Sequence, residues 1–197
     1  MAEENRPLRV GFAMTGSFCT FSAVMKQLEK LAALGWDITP IMSQTSYETD
    51  TRFGKAQDFV DTMSRICGKP VLHTLAQVEP IGPKKLLDVI VIAPCTGNTL
   101  AKLALGIADT PVTLAVKAHL RNLRPVVVAV SSNDALGAGA KNIGLLMNSR
   151  NMFFVPFSKD DPVGKPNSLV AHFDRIAQTV RQAVGSPEPE EEQSAAK

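Results

Sequence analysis

The residues able to do chemistry are concentrated in four short stretches of small hydroxyl and amide side chains. Thr15, Gly16, Ser17 and Thr20 form the first; Ser43, Gln44, Thr45 and Ser46 the second; Thr96, Gly97, Asn98 and Thr99 the third; Ser131, Ser132 and Asn133 the fourth. Hydroxyls beside backbone N–H groups at helix starts can bind an anion without a cation. Any one of these residues is as readily a cap for the helix that follows it. Four such stretches converging on one place favour a phosphorylated ligand with polar edges. Cys95 stands beside the third stretch, where a thiol at a helix start could be a nucleophile. No histidine lies near it in sequence, so it reads as a small buried hydrophobe, and Cys19 and Cys67 read as helix packing residues. His73, His119 and His172 share no motif; the last two fall on expected helices, at surface or interface positions. Arg52, in a polar segment before a helix, has the fork geometry that takes a carboxylate; its other reading is a solvated loop charge. Lys84, Lys85, Lys159 and Lys165 flank loops and could serve less specifically, whereas Lys102 and Lys117 read as surface or subunit contacts.

The elements that must position these stretches follow from hydropathy. LRVGFAM (8–14) is a short continuous apolar run, as expected of a buried parallel strand. It runs into Thr15-Gly16-Ser17, and Phe21, Val24, Met25, Leu28, Leu31 and Ala32 then recur at helical spacing until Gly35. WDITPIMS (36–43) is a second strand, with Pro40 pointing to an irregularity. Phe53, Ala56, Phe59, Val60, Met63 and Ile66 make a second amphipathic helix closed by Gly68. A short third strand is expected at 70–73, and LLDVIVIAP (86–94) is the clearest strand of all. A helix follows over LAKLALGIA, another over 111–120, a fifth strand at 124–131, a weak helix within 133–150, a sixth strand at 152–157 and a last helix at 167–184 capped by Asn167 or Ser168. Strand–helix alternation at this spacing predicts a three-layer α/β/α sandwich with a mainly parallel sheet. In such sheets ligands bind beyond the carboxyl ends of the strands, which is where all four stretches lie.

The length of 197 residues fits one domain over 1–185, followed by an acidic tail, 186–197, read as disordered. The tail holds four glutamates and one lysine, so a net charge of +2 for the chain leaves +5 elsewhere. That surplus is too weak to indicate a nucleic-acid binder. Hydrophobic residues are 45% and charged residues 20%, which excludes collagen-like and disordered classes. No apolar run reaches the ~18 residues a membrane span needs, and the N-terminus has no apolar signal region. Three cysteines without a CxxC pair or metal-ligand spacing fit a cytoplasmic protein with reduced thiols and no metal.

The first stretch is not GxGxxG, no acidic residue ends the second strand, and GxxxxGK[ST] is absent, so a mononucleotide such as FMN suits the loops better than a dinucleotide. The chain also resembles a known family. Thr15-Gly16-Ser17 followed by VIAPCTGNTLAKLALGIADT (91–110) is similar to the motif of the flavin-containing cysteine decarboxylases and flavin prenyltransferases. Ala93, Pro94, Thr96, Asn98, Thr99, Ala101, Lys102, Ala104, Gly106, Ala108 and Asp109 match it, and Gly97 replaces the usual Ala. The apolar runs give six strands, and the resemblance implies that they form a Rossmann-like sheet in the order 3-2-1-4-5-6. It also implies FMN held by Thr15, Gly16, Ser17, Ser43, Thr45, Thr96, Gly97, Asn98, Thr99 and Ser131, and a homo-oligomer, to which the mostly apolar helix at 111–120 adds weight.

TRFGKAQ (51–57), EPIGPKKLLD (79–88), SSNDALG (131–137) and FFVPFSKDDPVGKPNS (153–168) narrow the resemblance to a branch whose members work with an NAD(P)-binding partner subunit on a small dicarboxylate. For that substrate Arg52 and Asn133 are the candidate contacts. The position of the decarboxylases' catalytic His is Pro80 here, and of their Pro-Ala-Met-Asn segment only Asn133 remains. Cysteine decarboxylation is thereby disfavoured while the flavin loops persist. Three readings stay open: a flavin-site oxidoreductase subunit, a binding subunit that stabilises a catalytic partner and, third, a flavin-dependent decarboxylase.

Overall fold

The computed structural model describes residues 6–186; the expected acidic tail falls outside them apart from Ser186. The long parallel strands are those whose sequences are nearly all apolar. β1 (Arg9–Met14), β3 (Val89–Cys95) and β4 (Val126–Ser132) are almost wholly buried, because helices cover both faces of a parallel sheet. β2 (Asp37–Met42) pairs with β1, and β5 (Met152–Phe154) with β4, all in parallel. α1 (Phe21–Ala33), α3 (Ala56–Cys67) and α8 (Ile176–Val184) cover one face, around Phe12, Phe21, Leu28 and Ile176. α4 (Leu75–Val78), α5 (Gly97–Ala104), α6 (Pro111–Leu120) and α7 (Ala140–Met147) cover the other, around Ile90, Ile92, Leu100 and Val116. No helix among the described residues is long and apolar enough to cross a membrane.

The expected order across the parallel strands holds, with one reduction. The third strand, at 70–73, shrinks to a single bridge between Leu72 and Ile41. Leu72 donates to the Pro40 carbonyl and accepts from the Met42 N–H, each at 2.9 Å. The same geometry removes the irregularity expected at Pro40. Its register with Phe12 is unbroken because the side of Pro40 that lacks an N–H faces away from β1, toward the sheet edge.

The expected helix over 167–184 is wrong in its first half. Lys165–Ala171 is a strand, β7, and helical structure begins only at the 3₁₀ turn Phe173–Arg175 that leads into α8. β6 (Phe157–Asp161) and β7 form an antiparallel hairpin, and β7 pairs antiparallel with the end of β4, Ser131 opposite Val170 and Ser132 opposite Leu169. The sheet thus has seven strands rather than six. Asp161 closes the hairpin: its Oδ1 accepts from the N–H groups of Val163 and Gly164 at 3.3 and 2.8 Å. Asn167 and Ser168 therefore lie inside a strand and cap nothing.

α6 is apolar on most sides because it is central. Pro111, Val112, Thr113, Ala115, Val116 and His119 are all buried within this chain, which withdraws that helix as an argument for self-association. His119, expected at a surface or interface, is 1% exposed. Cys95 is buried and Cys67 packs half-buried against the core, as expected, but Cys19 is exposed.

Candidate functional site

The ends of β1, β2 and β3 open into a cleft of about 440 Å3. Thr15, Gly16, Ser43, Thr45, Thr96, Asn98 and Thr99 line it, seven of the ten residues expected around a cofactor, together with Gln44, Lys102, Asp109 and Thr110. Ser17 and Ser131, from opposite loops, share a hydrogen bond of 2.7 Å, and Gly97 lines an adjoining depression with Asn98.

Several of these hydroxyls are already committed. Thr15 stitches two loops: its hydroxyl donates to the Pro94 carbonyl at 2.7 Å and accepts from the Thr96 N–H at 3.0 Å. Ser43 begins α2 (Gln44–Glu48), a helix not expected from the sequence, and accepts from the Ser46 N–H at 3.2 Å. Thr96 caps α5 by accepting from the Thr99 N–H at 3.3 Å. The capping role thus accounts for Ser43 and Thr96. It does not account for Thr45 or Asn98, whose side chains make no hydrogen bond among the described residues.

Lys102 and Asp109, absent from the expected set, carry the charge of the cleft. The Lys102 ammonium donates to both Asp109 oxygens, at 2.8 and 2.9 Å. That bond holds the Asp109 carboxyl below the usual carboxylate range. Both belong to the matched motif, and the spacing of seven residues brings them together only because the helix ends at Ala104 and the chain doubles back. Thr110, also missed, caps α6 in a reciprocal bond pair with Thr113.

Other expected participants lie elsewhere. Arg52 sits in an exposed turn with its guanidinium 4.9 Å from the Phe53 ring centre, and it does not line the cleft. Asn133 is exposed; its Oδ1 accepts from the Ser168 hydroxyl at 3.5 Å. His73 stacks on Tyr47, ring centres 3.7 Å apart. Burial pushes the Cys95 thiol up, away from the thiolate a nucleophile needs. No group of three or more metal-ligating side chains occurs among the described residues.

The donor set fits a flavin mononucleotide. Gly16 leaves a gap that a Cβ would fill, 3.3 Å from Thr45 and 3.5 Å from Phe18. The N–H groups of Gly97 and Asn98 are the unsatisfied first donors of α5, Lys102 supplies a positive charge, and the Asn98 amide offers a donor and an acceptor to a polar ring edge.

The Flavoprotein family model matches residues 1–183. The B subunit of dipicolinate synthase from Bacillus subtilis (strain 168) is 44% identical over 176 residues, 89% of this chain and 88% of that one. The crystal structure of the corresponding B subunit from Bacillus halodurans superimposes with a TM-score of 0.83 at 42% identity, covering 93% of this chain and 94% of that one. The FMN-dependent cysteine decarboxylase SpaF shares the fold, with a TM-score of 0.65 at 24% identity over 89% of this chain and 97% of its own.

Proposed function

The chain belongs to the Flavoprotein family, and from that premise we propose that it is the flavoprotein-type subunit of a dipicolinate synthase. In this reading it acts with the enzyme's A subunit, which carries NAD(P), to oxidise dihydrodipicolinate to dipicolinate in the cytoplasm of the mother cell of a sporulating bacterium. The observation that carries it is the cleft around Asn98, where a free amide, a free threonine hydroxyl and one lysine meet at the ends of three parallel strands. The likeness to two B subunits over some nine-tenths of the chain supports the substrate.

A bound flavin would supply hydride acceptance at this site. The chain's own residues bind and orient. The Gly16 N–H, the Thr45 hydroxyl, the first N–H groups of α5 and the Lys102 ammonium suit a phosphate and its polyol chain. Asn98 suits the ring edge. Asp109 holds Lys102 over the cleft and offsets its charge, so that an incoming anion meets a positioned cation.

The second reading is a binding subunit with a disused flavin site. The internal commitment of Thr15, Ser43 and Thr96 favours it. A visible spectrum of the purified protein separates the two: a yellow protein with stoichiometric FMN supports the first, and a colourless one that takes up no added FMN supports the second. Dihydrodipicolinate oxidation by this chain alone, by the NAD(P)-binding partner alone and by the two together, with and without FMN, then assigns the chemistry. Turnover by the partner alone at the full rate of the pair would end the catalytic reading. Self-association rests on exposed Leu105, Leu145 and Met147 and on an apolar recess that includes Leu103, Ile107 and Leu146. Light scattering on the same preparation tests it, and a monomer would contradict it.

A further inference from the structure

Beside the flavin-type cleft, and sharing Asn98 with it, lies a second depression of about 370 Å3. That is within the range of about 300–1,000 Å3 for small-molecule pockets. Gly97, Asn98 and Ala101 of α5 form one wall; Asp134, Lys141 and Asn142 belong to the other.

Three observations mark it as a built site. Asn142 is only 8% exposed, yet its amide makes no hydrogen bond among the described residues and opens onto the depression. No fully buried side-chain N or O among the described residues lacks a partner, so the Asn142 amide reaches the solvent of the depression, where a ligand can pair with it. Asp134 is held on a fixed turn. Its carbonyl accepts from the N–H groups of Gly137 and Gly139 at 2.9 and 3.1 Å, and its Oδ1 accepts from the Ser132 hydroxyl at 2.6 Å. The hydroxyl–carboxylate pair in turn explains Gly97. A Cβ there would stand 2.7 Å from the Ser132 oxygen and 2.9 Å from Asp134 Oδ1, so the alanine usual in the family motif would displace the pair.

Building on the dicarboxylate reading above, we propose that this depression is the substrate pocket, with Asn142 and Lys141 holding a ring carboxylate and Asp134 accepting the ring proton. Aromatisation of a dihydropyridine removes two hydrogens. One ring C–H bond breaks with its electron pair, which leaves as hydride to an oxidised flavin or nicotinamide. A second breaks with its electrons staying in the ring as the new double bond, and its proton passes to the Asp134 carboxylate, which is exposed and returns it to water. Asn98, on the ridge between the two cavities, touches the ligands on both sides.

The test uses the full chain and its partner subunit, with pyridine-2,6-dicarboxylate as the binding probe and flavin fluorescence as a separate report on the first cleft. Asn142→Leu is expected to keep the wild-type melting temperature and flavin affinity while weakening dicarboxylate binding at least about tenfold. Asp134→Asn retains the acceptor for Ser132. It is expected to keep dicarboxylate binding and KM while kcat falls about a hundredfold or more, as for removal of a general base. Lys141→Met, at an exposed position, replaces Asn142→Leu should that variant not fold, and is expected to weaken binding in the same way. Variants that bind and turn over like wild type overturn the pocket and leave the dicarboxylate reading standing. A wild-type chain that binds no dicarboxylate and adds nothing to the partner's turnover overturns the reading itself, and the pocket with it.

Discussion

Asn98 is the residue whose role can be separated most cleanly from folding. The sequence alone allows it to be a helix cap, for which Asp serves as well as Asn. The structure gives that role to Thr96, with Asn98 two residues further in and exposed. Asn98→Asp should therefore leave the melting temperature unchanged or slightly raised, since an acid in the first turn suits the helix dipole. Flavin and dicarboxylate affinity should fall about ten- to hundred-fold as two donors become an acceptor-only charge. Calorimetric titration beside a thermal melt reads both, and a variant that binds normally would remove Asn98 from the site. At this scale the hydroxyl stretches are legible because their residue types are unusual at strand ends. Lys102 reads in sequence as a surface contact, because nothing local shows that the chain turns back to bring Asp109 beside it. Asp134 and Asn142 are invisible as site residues, since one is an ordinary loop acid and the other a polar residue on a weak helix.

At the scale of elements, the parallel strands can be read because burial on both faces writes them as unbroken apolar runs. Segments whose burial is one-sided are harder. Leu169, Val170 and Phe173 fit a helical stripe as well as they fit a strand, and only the Asp161–Gly164 turn decides for the hairpin. Hydropathy marks no element just before β3, although Thr74 and Gln77 carry a capping box. The 3₁₀ turn there, Glu79–Ile81, packs directly on α6. The contact is made at Gly82, where a Cβ would lie 2.8 Å from the Ala118 Cβ and 2.9 Å from the Ala118 carbonyl oxygen. Backbone cannot step aside as a side-chain tip can, and the Gly82 carbonyl is also tied to the Asn122 amide at 2.9 Å. Gly82→Ala should therefore destabilise the fold by about 1–3 kcal/mol, the usual range for overpacking. Urea unfolding measures it; a change below about 0.5 kcal/mol would mean that the turn and helix separate freely.

For the whole molecule, the site lies at the carboxyl ends of the strands and a charge cluster fastens the opposite ends. Arg6, Arg9 and Arg124 converge on Asp88, from the N-terminal segment, β1 and the residues before β4. Burial alone would raise the Asp88 carboxyl, but hydrogen bonds from Arg6 and Arg9 outweigh it and hold the group far below the usual carboxylate range. His119 lies nearby, on α6, and its Nε2 donates to the Pro125 carbonyl at 3.1 Å. Burial, reinforced by the Arg124 charge, lowers its pKa from 6.5 to about 4, against weaker opposing effects of Pro125 and Asp88. The unfolded chain therefore takes up a proton on this histidine below about pH 6.5, while the folded chain resists until about pH 4. Stability is full above the unfolded value and declines as pH falls through that window, where the unfolded state binds more protons. At 1.36 kcal/mol for each pH unit the loss reaches about 3 kcal/mol by pH 4. Asp88 stays ionised in the folded chain across the same window, and its own contribution is lost mainly below its unfolded value of 3.8, equally in wild type and variant. His119→Gln keeps an N–H donor for Pro125 without a titrating ring. Urea unfolding of wild type and His119→Gln at pH 7, 5.5 and 4 should show the wild type losing stability relative to the variant by most of that amount. Parallel declines in the two proteins would place the acid sensitivity elsewhere in the fold.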